Sequence, residues 1–372
     1  MQRDIFLAGS GQTRFGEWWD KGIKELMDEA VRETLSGSPC TALDVDMVVV
    51  ANMIGEVGSG QAHLGAMASM LFPHRPPALR VESACASGAL ALHTATALLE
   101  SGKAETVLVI GVEKMTDVSN DVVASALMGA ADAEADRPAG LTFPGIFGLI
   151  ATRYMHEYGL TRDDLSIVSA VHHAQAVVNP YAQFRQALEP EAVSRSALIA
   201  NPLRLLDCSP VSDGAAACLL STKFTSNVRL AASQIATDSL SLVDRPTLTS
   251  FQATRDAMER ALEEAKVELG DIRTIETHDC FSIAAVINME DLGFAEPGQG
   301  IEVYRAIRRG ASSLAVNKSG GLKACGHPVA ATGIKQFNDV AKQLRATGER
   351  YGIAHNFGGA AATCGIHLLE HA

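Results

Sequence analysis

Apolar positions recur along this chain with two alternating periods, and the alternation is spelled out twice. Ile5-Phe-Leu-Ala-Gly-Ser10 and Val228-Arg-Leu-Ala-Ala-Ser233 read as strands, each followed by an amphipathic helical stretch, near 21–35 and 254–268. Leu43-Asp-Val-Asp-Met-Val-Val-Val and Leu269-Gly-Asp-Ile-Arg-Thr-Ile-Glu are both acid-punctuated openings to a strand, and Asp213-Gly-Ala-Ala-Ala-Cys-Leu-Leu is matched by Gly358-Gly-Ala-Ala-Ala-Thr-Cys-Gly-Ile. Between them, 78–82 reads as a short strand and 86–100 as a small-residue helix stopped by Ser101-Gly102. Ser83-Ala-Cys85 and its helix correspond to Lys323-Ala-Cys325 and a helix beginning near Ala330.

Strands alternating with helices in each half predict two mixed sheets covered by helices, packed as a duplicated, layered α/β/α/β/α body. Residues 118–206 have no counterpart in the second half. They carry an apolar run from Leu141, a helix near 151–158 and a capped helix after Thr161, and read as an inserted subdomain over the site. The expected division is 1–117 plus 207–224, then 118–206, then 225–372.

Composition narrows the function. A 372-residue chain with 47% hydrophobic content is long enough for several cores, and a net charge of −12 with 5% aromatic residues argues against nucleic-acid binding. Its longest uncharged stretch, 83–99, contains His93 and is rich in Ala, Ser and Thr, so it reads as a buried helix and no membrane span is expected. No basic region followed by a long apolar core opens the chain, so no secretory signal is expected. Seven scattered cysteines suit reduced thiols in a cytoplasm better than disulfides, and none has structural-zinc spacing, so no metal is expected.

Cys85 lies between the 78–82 strand and the 86–100 helix, where unpaired N–H groups favour a thiolate. A helix terminus supplies only about 0.3–1 kcal/mol, less than the ~1.36 kcal/mol of one pKa unit. A reactive Cys85 therefore needs a base; a buried, inert thiol is the alternative. The glycine-rich stretch Gly320-Gly-Leu-Lys-Ala-Cys-Gly-His-Pro-Val-Ala-Ala-Thr-Gly333 offers His327, held extended by Pro328. Thr277-His-Asp-Cys-Phe281 offers His278 as a donor and Cys280 as a second acid/base, and Ala354-His-Asn-Phe-Gly-Gly-Ala360 turns at a glycine pair that can present N–H groups.

Ser-Ala-Cys-Ala-Ser-Gly, His-Asp-Cys-Phe, Gly-His-Pro-Val-Ala-Ala-Thr-Gly and Asn-Phe-Gly-Gly-Ala, in this order, resemble the thiolase superfamily, in particular its sterol-carrier-protein-type and archaeal-like branch. The resemblance spans nearly the whole chain. It implies the five-layered thiolase fold, a homodimer that could pair into tetramers, and acyl-coenzyme A substrates with no tightly bound cofactor. By the same resemblance Cys85 is the nucleophile, His327 its activator, and His278 replaces an asparagine that holds an oxyanion-hole water. Gly358, with Cys85, would supply a second oxyanion hole. Asn356 stands where ordinary thiolases carry their second catalytic cysteine, which transfers that role to Cys280. Phe147 and Ser209 fall near positions lining the pantetheine channel, and Arg153 and Arg185 are candidates for the nucleotide phosphates. Thiolase-type acyl transfer follows, by condensation or thiolysis, with a downstream synthase or small accessory protein as a potential partner. A related carbon–carbon synthase, a retro-aldolase with an accessory subunit, or an inactive lipid-binding homologue are the alternatives.

Overall fold

The computed structural model describes residues 3–372. Its strands are β1 (Ile5–Gln12), β2 (Met47–Ala51), β3 (Ala78–Val81), β4 (Thr106–Glu113), β5 (Leu198–Ala200), β6 (Leu203–Arg204), β7 (Gly214–Ser221), β8 (Val228–Thr237), β9 (Ile272–Glu276), β10 (Ala315–Val316), β11 (Tyr351–Gly358) and β12 (Thr363–His371). Apart from the small β5-β6 ribbon, they run in the order β10-β9-β11-β12-β8-β1-β7-β4-β2-β3. Read from the middle outward, both wings have the same plan. Each begins with a central strand, adds two antiparallel neighbours, and ends in parallel strands that need helical crossovers. The wings meet through Ile5↔Leu230 and Phe6↔Arg229.

Two helices, Ser87–Glu100 and Thr332–Thr347, lie between the wings, and each touches strands of both. On the outer faces Ile23–Ser36 covers β1, β4 and β7, and Gln252–Ala265 covers β8 and β12. This gives five layers. The central helices can sit there because they are short of bulk where they cross: a Cβ on Gly88 would stand 3.0 Å from the Cα of Gly333. Ala89, Ala91, Leu92, Ala95 and Leu99 are fully buried, and each buried leucine contributes about 1.5–3 kcal/mol.

Two boundaries differ from expectation. The helix expected near 151–158 is Phe143–Tyr158, capped by Thr142 Oγ1 accepting from Gly145 N at 3.2 Å. Pro144 and Gly145 look like loop residues in sequence, yet the first turn tolerates proline because its N–H would be unpaired anyway. The second-half amphipathic helix stops at Ala265, where Lys266 adopts a left-handed φ of 55°. The helix after Thr161 has the expected cap, with Thr161 Oγ1 accepting from Asp164 N.

Candidate active site

Strand β3 leads into a tight turn that presents Cys85 at the head of the buried helix. Ala84 takes a positive φ of 50°, a costly conformation for alanine. Ser87 secures it: its Oγ accepts from Ser83 N at 2.8 Å and donates to Ala84 O at 2.6 Å. The thiol faces a cavity, so Cys85 is half-buried by area, but protein surrounds the sulfur and desolvation dominates its chemistry. Burial, with Glu113 nearby, pushes the thiol up to about 12 despite amide donation from Gly359 and from Cys85 itself. The helix terminus alone does not activate it.

Sγ of Cys85 and one ring nitrogen from each of His278 and His327 lie within 4.8 Å of one another. The two imidazoles meet edge to face, with centroids 5.0 Å apart. Their hydrogen bonds fix opposite tautomers. His327 Nδ1 is 2.7 Å from Thr332 Oγ1, whose only hydrogen goes to Pro328 O at 3.0 Å, so Nδ1 donates and Nε2 keeps a lone pair. Asn356 Nδ2 donates to His278 Nδ1 at 2.9 Å, so the proton of His278 is on Nε2. The orientation of Asn356 follows from its Oδ1, which accepts from Ala89 N at 3.4 Å. Both Nε2 atoms are buried and without a partner. One is thus a base and the other a donor.

Burial keeps both rings neutral: His327 is pushed down to about 4, and His278 falls well below the usual imidazole range because of burial and the neighbouring His327 and His355. Next to His278, Asp279 accepts from Asn317 Nδ2, Leu322 N and Lys323 Nζ and pairs with His172 Nδ1 at 2.8 Å. Lys323 and His172 hold that carboxyl well below its ordinary range in spite of burial. This clamp fixes the 277–281 loop. Cys280, buried beside it, is held well above the usual thiol range by desolvation and by the proximity of Cys85.

Cys85, Cys280, His327, Phe147 and Ser209 all line one cavity of about 210 Å³. His278 stands behind it, and Asn356 touches the site through His278. Gly358 packs against the turn that carries Cys85, where a Cβ would be 2.4 Å from Ser83 O; the amide aimed at Sγ is that of Gly359. Arg153 pairs with Glu157 at 3.1 Å on an exposed face and lines a different cavity, while Arg185 donates to Val177 O; neither lines the Cys85 cavity. Cys325 is buried with Sγ donating to Ser319 O at 2.9 Å, so it matches Cys85 in sequence but not in exposure to the cavity.

Sequence reasoning passed over Glu113. It closes the apolar strand β4, fully buried, and accepts from Asn52 Nδ2, Met53 N, Ile54 N and, across the two halves, Ala330 N. Desolvation raises it to about 7. A lone acid ending so apolar a strand was the available signal. The Cys85-His278-His327 triplet also has metal-like spacing; in the tautomer fixed by Asn356, His278 turns a proton rather than a lone pair toward it.

Two family profiles cover the chain: the thiolase N-terminal domain over residues 5–223 and the thiolase C-terminal domain-like family over 235–371.

The chain belongs to the thiolase family.

An acetyl-CoA acetyltransferase of Methanothermobacter thermautotrophicus is 40% identical over 99% of this chain and 100% of its own length. Human sterol carrier protein 2 is 29% identical over 96% of this chain and 70% of its own length. The crystal structure of human mitochondrial 3-ketoacyl-CoA thiolase covers 100% of this chain and 99% of that chain, with a TM-score of 0.77 at 17% identity. The expected superfamily, the thiolase fold and a thiolase-type acyl-CoA C-acyltransferase activity are borne out. Thiolases act on coenzyme A thioesters. Among the described residues no helix is long and apolar enough to cross a membrane.

Proposed function

We propose that this thiolase transfers acyl groups through a thioester on Cys85, with Cys280 as the acid/base for the second substrate. The observation that carries the reading is the convergence of two unpartnered Nε2 atoms, one a base and one a donor, beside the Cys85 sulfur. His327 Nε2 takes the thiol proton as sulfur attacks the acyl-coenzyme A carbonyl. The amides of Cys85 and Gly359 lie where the resulting oxyanion needs donors. As the tetrahedral adduct collapses, the departing coenzyme A sulfur takes its proton from Cys280. That leaves an acyl-enzyme, a Cys280 thiolate and a protonated His327.

Acylation also fixes the Cys85 sulfur as an uncharged thioester, so no thiolate can stand beside Cys280 as it ionises. The Cys280 thiolate then takes an α-proton from a second acyl-coenzyme A. His278 and protonated His327 donate to the enolate oxygen while its carbon attacks the Cys85 thioester. Collapse releases a 3-ketoacyl-coenzyme A, and His327 returns its proton to Cys85. Run backward, the same steps are thiolytic cleavage.

In this reading residues 118–206 form the cover over the pantetheine, set between 1–117 plus 207–224 and 225–372; cavity walls from Asn120 to Phe147 support it. β3 ends the sheet with no neighbour beyond it and four half-buried residues, which supports a homodimer formed by strand addition. Seven cysteines without a disulfide among them support a reducing, cytoplasmic setting. Thiolysis of acetoacetyl-coenzyme A by the intact protein tests the cycle. Cys85→Ser should abolish cleavage, and Cys280→Ser should abolish condensation while Cys85 still accepts an acyl group, more slowly because the departing coenzyme A sulfur loses its proton donor. Condensation at full rate in Cys280→Ser would remove Cys280 from the mechanism.

A further inference from the structure

The walls around Cys85 are far more apolar than an acetyl group requires. Met53 and Met115 come from the segments after β2 and β4, Val123 and Leu127 from the helix Asn120–Leu127, Val211 from the loop before β7, and Val329 from the 3-10 turn Val329–Ala331. The six surround the thiol in one cluster, in which Met53, Leu127 and Val211 keep part of their apolar surface uncovered. The helical pair is spaced i, i+4, so both side chains point to the same face. The two thioethers are flexible enough to close around chains of different shape.

The cavity of about 210 Å³ is shared: its Phe147 and Ser209 side belongs to the pantetheine in the reading above, and its Met53, Met115 and Val123-Leu127 side is left for the acyl group. An acetyl group places one methyl beyond its carbonyl. Left with that methyl alone, the space between the methionines and the Val123-Leu127 face would hold water with few polar partners, an unfavourable arrangement.

Resting on the acyl-enzyme reading above, we propose that the Met53, Met115 and Val123-Leu127 side of this cavity is an acyl-chain pocket selecting coenzyme A thioesters with an apolar chain several carbons longer than acetyl. The acyl group attaches at Cys85 and its tail lies against Met53, Met115 and the Val123-Leu127 face. A methylene moved from water to such a wall is worth about fourfold in binding. Four additional methylenes are therefore worth up to about two-hundredfold, and incomplete burial brings the expectation to at least about tenfold.

The test is the rate of acyl-enzyme formation on the full-length protein, measured by quenched intact-mass spectrometry with acetyl-, hexanoyl- and dodecanoyl-coenzyme A. The expected hexanoyl-to-acetyl ratio of kcat/KM for acylation is at least about ten, with dodecanoyl slower than hexanoyl because its tail outruns the cavity. Leu127→Trp fills the pocket and should lower the hexanoyl-to-acetyl ratio about tenfold. Ala124→Leu, an exposed position on the same wall, should lower it in the same direction and guards against misfolding of the tryptophan variant. A native ratio at or below one, or a ratio that neither substitution moves, overturns the pocket and assigns the cavity to pantetheine. Absence of every acyl adduct overturns the acyl-enzyme reading itself, and the pocket with it.

Discussion

The Cys85-His327 pair rests as neutral thiol and neutral imidazole, and titration exposes this. The thiol is held up to about 12 and the imidazole down to about 4. Moving the proton between them at rest therefore opposes a gap of about eight units, on the order of 10 kcal/mol. Mutual attraction of the resulting ion pair, at the separation of up to 4.8 Å and an effective dielectric near 20, returns only about 3–4 kcal/mol. The remainder must come from the bound acyl group, whose developing oxyanion is stabilised only during attack. The assay is iodoacetamide alkylation of Cys85, with thiolate ultraviolet absorbance recorded in parallel, across pH. Because the thiol is raised and the imidazole lowered, alkylation should climb steadily on the alkaline side, with no plateau between about pH 5 and pH 9. His327→Ala should leave that profile in place. A neutral-pH thiolate signal that disappears in His327→Ala would refute the reasoning, because it would mean an ion pair preformed as in proteases with activated cysteines.

Other consequences follow from the same geometry. Asn356→Ala frees the proton of His278 to move to Nδ1 and should cost about 10²–10³ in kcat, the loss of one oxyanion donor, measured by steady-state condensation. In the proposed cycle His327 works only as the neutral base, so kcat/KM should fall as pH drops through about 4 and stay free of an imidazole limb near pH 6.5, read from a pH–rate profile on protein that remains folded. Gly88→Ala places a methyl 2.9 Å from Ala330 O and should destabilise the fold by about 1–3 kcal/mol in denaturant unfolding. Prolonged dialysis against a chelator should leave the rate of acetoacetyl-coenzyme A thiolysis unchanged, since the protonated Nε2 of His278 donates where a metal would need a lone pair.

What the sequence made legible was whatever local chemistry writes locally. The repeated strand and helix periods anticipated two wings of one plan, and Cys85, His278, Cys280 and His327 stood out because glycine, proline and cysteine punctuate their segments. The start of Phe143–Tyr158 was hidden because Pro144 and Gly145 read as breakers when they in fact occupy a first helical turn. The partnership of Asn356 with His278 spans 78 positions, so no window of residues reveals it. The same is true of Glu113 reaching Ala330 across the halves, and of Gly359 replacing its neighbour at the thiol, which depends on the φ of 64° that aims its amide. The apolar walls of the cavity come from stretches as far apart as Met53, Leu127, Val211 and Val329 and exist only once the chain has folded.

The most direct test of the mechanism is the location of the acyl group. The protein is incubated with acetyl-coenzyme A and with hexanoyl-coenzyme A, quenched in acid, digested, and the acylated peptide sequenced by mass spectrometry. The account predicts a single thioester on Cys85, absent from Cys85→Ala and retained in Cys280→Ser. An acyl group found on Cys280 or Cys208 with Cys85 unmodified, or turnover without any acyl-enzyme, would contradict it.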